Sequence, residues 1–161
     1  MADDFDEFYA GTYRRVLGQL YAMVGRRGEA EDAVQEAYTR AWQRWARLRG
    51  YADPEAWVRT VAYRVAVSSW RRAVNRLTAQ RRHGPPDDVP GLGPDLVALT
   101  VALRRLTPEH RRALVLHYVA GLSVDDIARE TGTRPGTVKS RLSRGRDALR
   151  AELGEEAVQD A

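Results

Sequence analysis

The sequence predicts an all-α protein: two small helical domains joined by a Pro/Gly-rich linker, the second ending in a helix-turn-helix. Three observations carry this. Apolar residues recur at helical spacing, and no stretch of convincing length alternates as a strand would. The segment His83-Gly-Pro-Pro-Asp-Asp-Val-Pro-Gly-Leu-Gly-Pro94 holds four of the seven prolines and three glycines, so it does not read as a packed element. Leu122 to Arg150, LSVDDIARETGTRPGTVKSRLSRGRDALR, reads as two helices around a Thr131-Gly132-Thr133 turn.

Each element follows from local chemistry. Phe5, Phe8, Tyr9, Val16, Leu17, Leu20, Tyr21 and Val24 give a first helix over residues 5–24, and Gly25-Arg-Arg-Gly28 ends it. A second helix runs from Glu29 to near Arg47, with Ala33, Val34, Ala37, Tyr38, Ala41, Trp42 and Trp45 on one face. Its acids (Glu29, Glu31, Asp32, Glu36) precede its bases (Arg40, Arg44, Arg47), as the helix dipole favours. Trp42, Trp45 and Trp57 are expected in the core. Arg49 to Asp53 is a loop, and Pro54 opens a third helix to about Arg76. That helix is expected to bury Trp57, Val61, Ala62 and Val65, with Trp70 and Val74 at its end. A fourth spans Asp95 to Leu106. Thr107-Pro108 caps and opens a fifth, which runs to about Ala120.

In the helix-turn-helix, Ser123-x-x-Asp126 resembles a capping box. Small Ala128 permits a close helix crossing, and Gly132 supplies the positive φ of the turn. Thr133 is placed to cap the second helix, with Pro135 in its first turn. At about 100° per residue, Val138, Leu142 and Leu149 form one narrow apolar stripe. Thr137, Ser140, Ser143 and Arg144 lie opposite. Lys139 and Arg146 flank them on one side, Arg134 and Arg141 on the other. Short hydroxyls and an arginine at the centre suit base edges, and cations at the rims suit phosphates.

The 161 residues allow one domain or two small ones. With 30% charged and 43% hydrophobic residues the chain is soluble and can form a core. The net charge of +4 is unevenly placed: from Glu55 to Arg82 the only acid is Glu55, against Arg59, Arg64, Arg71, Arg72, Arg76, Arg81 and Arg82. Such a block suggests a polyanionic partner. The lack of cysteine excludes disulfides and thiolate metal sites and fits a cytoplasmic protein. The acidic start MADDFDEFY has no signal-peptide core, and no run reaches the length of a membrane span. His83, His110 and His117 have no metal-like spacing, so no metal and no cofactor are expected. The domains are placed at residues 1–82 and 96–153, with a linker at 83–95 and a fraying acidic tail at 154–161.

Specific strings then carry a family resemblance. Glu31-Asp-Ala-Val-Gln-Glu-Ala-Tyr38 resembles the core-polymerase-binding helix of bacterial sigma factors. Gly136-Thr-Val-Lys-Ser-Arg141 resembles the start of their recognition helix, and Leu106-Thr-Pro-Glu109 and Gly121-Leu-Ser123 sit where that family has similar turns. Over roughly residues 5–150 the chain resembles an extracytoplasmic-function (group IV) sigma factor, and Trp70-Arg-Arg72 resembles an actinobacterial branch. The resemblance implies a non-enzymatic subunit that binds core RNA polymerase, recognises a promoter and opens DNA for transcription initiation. It implies that Asp32, Gln35, Glu36 and Arg40 dock on the β′ clamp helices, and that the β flap is a further contact. It implies −10 DNA on Arg49, Tyr51, Arg64, Ser68, Arg71 and Arg72, and −35 DNA on Arg134, Thr137, Lys139, Ser140, Arg141, Ser143, Arg144 and Arg146. It leaves room for an anti-sigma factor as partner. Tyr51 is open between stacking on a base and capping the core beneath its loop. Gly145 departs from the family's common alanine, costing about 1 kcal/mol of helix propensity. Asp126 replaces the usual Glu, and His117 stands where some relatives carry a phosphate-contacting arginine.

Two rivals are weaker. A stand-alone DNA-binding regulator needs a dimer surface or ligand pocket, whereas the first half offers a basic helix and an exposed loop. A DNA-acting enzyme needs clustered carboxylates or an activated nucleophile. Ser68-Ser69 beside Arg71 and Arg72 comes nearest, and lacks a base or metal partner.

Overall fold

The computed structural model describes residues 2–76 and 93–159, all helix and connecting turns. The helices are α1 (Ala2–Val24), α2 (Arg27–Gln43), α3 (Trp45–Leu48), α4 (Pro54–Arg76), α5 (Pro94–Leu103), α6 (Pro108–Leu114), α7 (Val124–Thr131) and α8 (Pro135–Gln159). A π-helical turn, Val115–Val119, extends α6. The expected linker lies outside the described residues up to 92, as does His83; at its end, Pro94 and Asp95 already belong to α5. The expected tail also shifts, because α8 continues to Gln159.

The first core is made by α1, α2 and α4. Val16, Leu20, Ala30, Val34, Ala37, Ala41, Val58 and Ala62 are fully buried in it. One end is aromatic: Trp45 stacks on Phe8 at 4.9 Å between ring centroids and meets Phe5 edge-on at 5.4 Å. Two expectations fail here. The second helix does not run to Arg47 but breaks at Arg44 (φ −114°, ψ 13°) and restarts as α3. Trp45 is buried, 9% exposed, whereas Trp42, near the end of α2, is 62% exposed rather than in the core.

In α4 the buried stripe is Val58, Arg59, Ala62 and Ala66; of the expected residues Ala62 is buried, while Trp57, Val61 and Val65 are half-buried. Beyond Ala66 the helix leaves the core, so Trp70 and Val74 are exposed rather than buried.

The second core gathers Leu103, Leu106, Ala113, Leu114, Val115, Leu116, Ile127, Ala128, Val138 and Leu142. Ala22 and Met23 of α1 are buried in the same cluster. The two halves are therefore packed against each other, contrary to the independent cores that a Pro/Gly linker suggests. Polar contacts among the described residues also join them. Arg59 pairs with Glu130; Arg104 Nε donates to the Gly25 carbonyl at 2.8 Å; the Arg112 guanidinium lies 4.0 Å above the Tyr63 ring. Gly25 has φ 80°, and a Cβ there would meet Arg104 Cγ at 3.1 Å, so glycine satisfies both the turn and the contact.

Candidate nucleic-acid interface

The helix-turn-helix is built as its sequence suggests, with two local differences. Ser123 accepts the amide of Asp126 at 3.1 Å and caps α7. Asp126 does not complete the box; its carboxylate takes Arg129 at 2.6 Å instead. Gly132 ends α7 in the left-handed region at φ 66°. Thr133 does not cap α8. Its hydroxyl pairs with Thr131 at 2.9 Å, and α8 begins two residues later at Pro135.

Val138 and Leu142 are buried, at 1% and 3% exposure, and Leu149 packs on the same cluster. Thr137, Ser140, Ser143 and Arg144 are exposed, as are Arg134 and Lys139. A central polar strip thus projects from a helix whose rotation is set by its buried stripe. Arg141 and Arg146 are half-buried. Arg146 donates to the Tyr118 hydroxyl at 3.3 Å, while Arg141 lines the groove between the halves. His117 Nδ1 donates to the Leu122 carbonyl at 2.8 Å, so this imidazole holds the turn before α7.

Gly145 is buried where α8 crosses α6. A Cβ would sit 3.1 Å from Leu114 Cγ and Cδ1, so the glycine lets the helices approach.

On the first half, Arg64, Ser68, Arg71 and Arg72 are exposed along α4. Arg49, at the end of α3, forms an exposed pair with Asp4 at 3.4 Å. Tyr51 is 43% exposed. Arg64, Ser68 and Arg71 share a cavity with Glu130 and Thr131 of α7. Sequence reasoning offered no hint of that proximity. On α2, Asp32, Gln35, Glu36 and Arg40 all face solvent. Arg40 Nε donates to Glu36 at 2.8 Å, and Gln35 donates to the Tyr13 hydroxyl at 3.2 Å.

Sequence reasoning missed two other groups. Arg59 and Glu130 are 4% and 5% exposed. The signal for Arg59 was its place beside Val58 in the buried stripe. Arg111 and Arg112 line a groove of about 990 Å³ between the halves, together with Met23, Val24 and Trp70. Their buried Nε atoms have no acceptor among the described residues, and burial pushes both guanidinium pKa values down. Among the described residues no three His, Cys, Asp or Glu side chains gather as a metal site, and no helix is long and apolar enough to cross a membrane.

This fold and surface define a helical DNA-binding protein with two cationic stations. Comparison with known proteins carries the assignment further. Residues 8–76 match sigma-70 region 2, and residues 96–149 match sigma-70 region 4. The chain is 34% identical to the extracytoplasmic-function sigma factor SigL of Mycobacterium tuberculosis, covering 96% of this chain and 89% of that protein. It is 33% identical to the sigma factor CarQ of Myxococcus xanthus, covering 95% and 91%. The sigma factor RpoE of Bartonella quintana, solved with the anti-sigma factor NepR, shares the fold with a TM-score of 0.81 over 94% of this chain and 97% of that one, at 24% identity. The Mycobacterium tuberculosis sigma factor SigJ gives 0.64 at 30% identity, over 89% and 52%. The chain belongs to the extracytoplasmic-function sigma factors, the subunits that give RNA polymerase its promoter recognition.

Proposed function

We propose that this sigma factor divides promoter recognition between its halves, residues 1–82 and 96–153, acting in the cytoplasm without catalysing a reaction itself. Asp32, Gln35, Glu36 and Arg40 of α2 dock on the β′ clamp helices, and the second half meets the β flap. Ser140, Ser143 and Arg144, with Thr137, read −35 base edges, while Arg134, Lys139, Arg141 and Arg146 hold flanking phosphates. Arg49, Arg64, Ser68, Arg71 and Arg72 track the opened −10 strand, with Tyr51 as a stacking platform.

The observation that supports this most is the exposed strip Thr137, Ser140, Ser143, Arg144 above the buried Val138 and Leu142. It presents readout chemistry on a helix with a defined rotation.

An anti-sigma factor is a further partner in this reading. The groove between the halves supports it: apolar Met23, Val24 and Trp70 beside cationic Arg111 and Arg112 suit an acidic amphipathic segment.

The test is reconstitution. The chain should co-purify with core polymerase and direct run-off transcription from a subset of genomic promoters. Reversing charge at Asp32 and Glu36 should weaken that association with helix content unchanged. Full retention of binding by this variant would refute the docking face.

A further inference from the structure

The turn that leads into the helix-turn-helix is wider than an α-helix and carries an exposed aromatic ring. The Ala120 amide donates to the Val115 carbonyl at 2.9 Å, five residues back, so Val115–Val119 is a π-helical turn. Such turns are rare and recur at functional sites. Val115 and Leu116 are fully buried, whereas Tyr118, two residues on, is 59% exposed.

Core packing gives this tyrosine no duty, yet its neighbours fix its ring. His117 Nδ1 donates to the Leu122 carbonyl at 2.8 Å, which holds the imidazole. The imidazole meets the Tyr118 ring edge-on, at 4.8 Å between centroids and 82° between planes. The Tyr118 hydroxyl then accepts from Arg146 Nη1 of α8 at 3.3 Å. A chain of contacts therefore runs from the turn before α7 to the recognition helix. Arg146 is seven residues beyond Lys139, within about 20° of it around the helix, so the two share one rim of the readout strip.

The chemistry of the hydroxyl gives this arrangement a use. A phenol offers one O–H donor beside its acceptor lone pairs. Arg146 occupies an acceptor position, and among the described residues nothing accepts the hydroxyl hydrogen. The Arg146 guanidinium keeps further N–H groups in its fork, and no carboxylate pairs with it among the described residues. Two adjacent donors, one charged and one neutral, thus remain unused at the rim of a DNA-reading helix.

We propose that Tyr118 and Arg146 form one phosphate clamp at the upstream promoter element, in which Tyr118 orients the guanidinium and donates its own hydroxyl hydrogen to the same phosphate. The proposal rests on the reading of Arg146 as a phosphate contact given above, and it adds Tyr118 to the DNA interface. A long arginine side chain loses rotamer entropy when it is fixed on a ligand. A guanidinium already leaning on a rigid ring has lost part of that entropy beforehand. The phenol adds a charge-assisted hydrogen bond to the anion. Being neutral, it strengthens binding without changing the number of counterions released.

The test uses the full chain bound to core polymerase. The probe is a fluorescein-labelled duplex from a promoter that this chain directs in run-off transcription. Binding is followed by anisotropy over a range of NaCl concentrations. Tyr118→Phe keeps the ring against His117 and removes only the hydroxyl. It should weaken binding about tenfold and leave the slope of log affinity against log salt unchanged. Arg146→Ala should weaken binding and make that slope shallower by about one unit. Duplexes with one neutral methylphosphonate at each upstream position in turn then locate the contact. At one position wild type and Tyr118→Phe should bind equally, and the same position should silence Arg146→Ala.

Equal affinity of Tyr118→Phe and wild type on the unmodified duplex overturns the clamp. So does a loss that no methylphosphonate silences, because the hydroxyl then acts only within the protein. Different silencing positions for the two residues overturn the shared phosphate. The underlying reading has its own control: an unchanged salt slope in Arg146→Ala removes Arg146 from the phosphates, and the methylphosphonate scan of Tyr118→Phe still decides whether the hydroxyl touches DNA.

Discussion

Replacing Gly145 by alanine sets two effects of similar size against each other. In a helix interior the change normally stabilises by about 0.8–1.0 kcal/mol, because alanine loses less backbone entropy. Here the new Cβ would lie 3.1 Å from Cγ and Cδ1 of Leu114 and 3.4 Å from the His110 carbonyl oxygen. Leu114 is 4% exposed within the second core, so it cannot swing into solvent. Overpacking of a filled core costs about 1–3 kcal/mol. The clash wins, with a net loss of about 1 kcal/mol. For a chain of this size that lowers Tm by about 2–4 °C.

Gly11 is the matched control. It lies inside α1, is exposed, and has nothing within 4 Å of its Cβ position. Gly11→Ala should raise Tm by a similar amount. Thermal melts followed by far-UV circular dichroism measure both. A rise in Tm for Gly145→Ala equal to that of Gly11→Ala would refute the close-approach argument. Because Gly145 seats the recognition helix on α6, the same variant should also weaken binding to the upstream promoter element.

Two further outcomes are expected. In polymerase-bound protein, Arg144→Ala should cost about 1–3 kcal/mol on the preferred −35 element and relax preference at one or two positions. Lys139→Ala should weaken all sequences evenly and make the salt slope shallower by about one unit; the reverse pattern would mean that the helix is rotated from the orientation its buried stripe imposes. The Tyr38 hydroxyl, 2.6 Å from Thr12 Oγ1, is pushed up to about 12 by burial, with the Thr12 hydrogen bond opposing. The unfolded tyrosine titrates near 10. Between these values the unfolded chain releases a proton that the fold retains, so stability that is complete below pH 10 falls as pH rises toward 12. Urea melts across that window should show a shallower loss for Tyr38→Phe than for wild type; an identical slope would remove Tyr38 from the alkaline response.

The helix-turn-helix was legible because its determinants are local. Ser123, Gly132 and Pro135 mark ends and turn through their own backbone chemistry. The separation of Val138 and Leu142 from Ser140 and Ser143 is simple rotation along one helix. The polar face of α2 was legible for the same reason. Trp42 was misplaced because, still inside α2, it follows buried Ala41 by about 100° of helix rotation, which carries it off the buried face. Trp45 packs against Phe5 and Phe8, residues distant in sequence.

The sequence by itself determined an all-α chain, most of its helix boundaries to within a few residues, the helix-turn-helix and which face of its second helix is exposed. Periodicity, capping and turn chemistry are short-range, so they are written in neighbouring residues. The tertiary structure decided what Arg59, Gln19, Glu130, Arg104 and Gly145 are for. Each is unremarkable among its neighbours, and each draws its role from a partner 31 to 79 positions away or on another helix. A charge beside an apolar stripe is unfavourable until its counter-charge arrives from the other half, and a glycine in a helix is a weakness until a second helix packs against it. Only the packed fold supplies those partners.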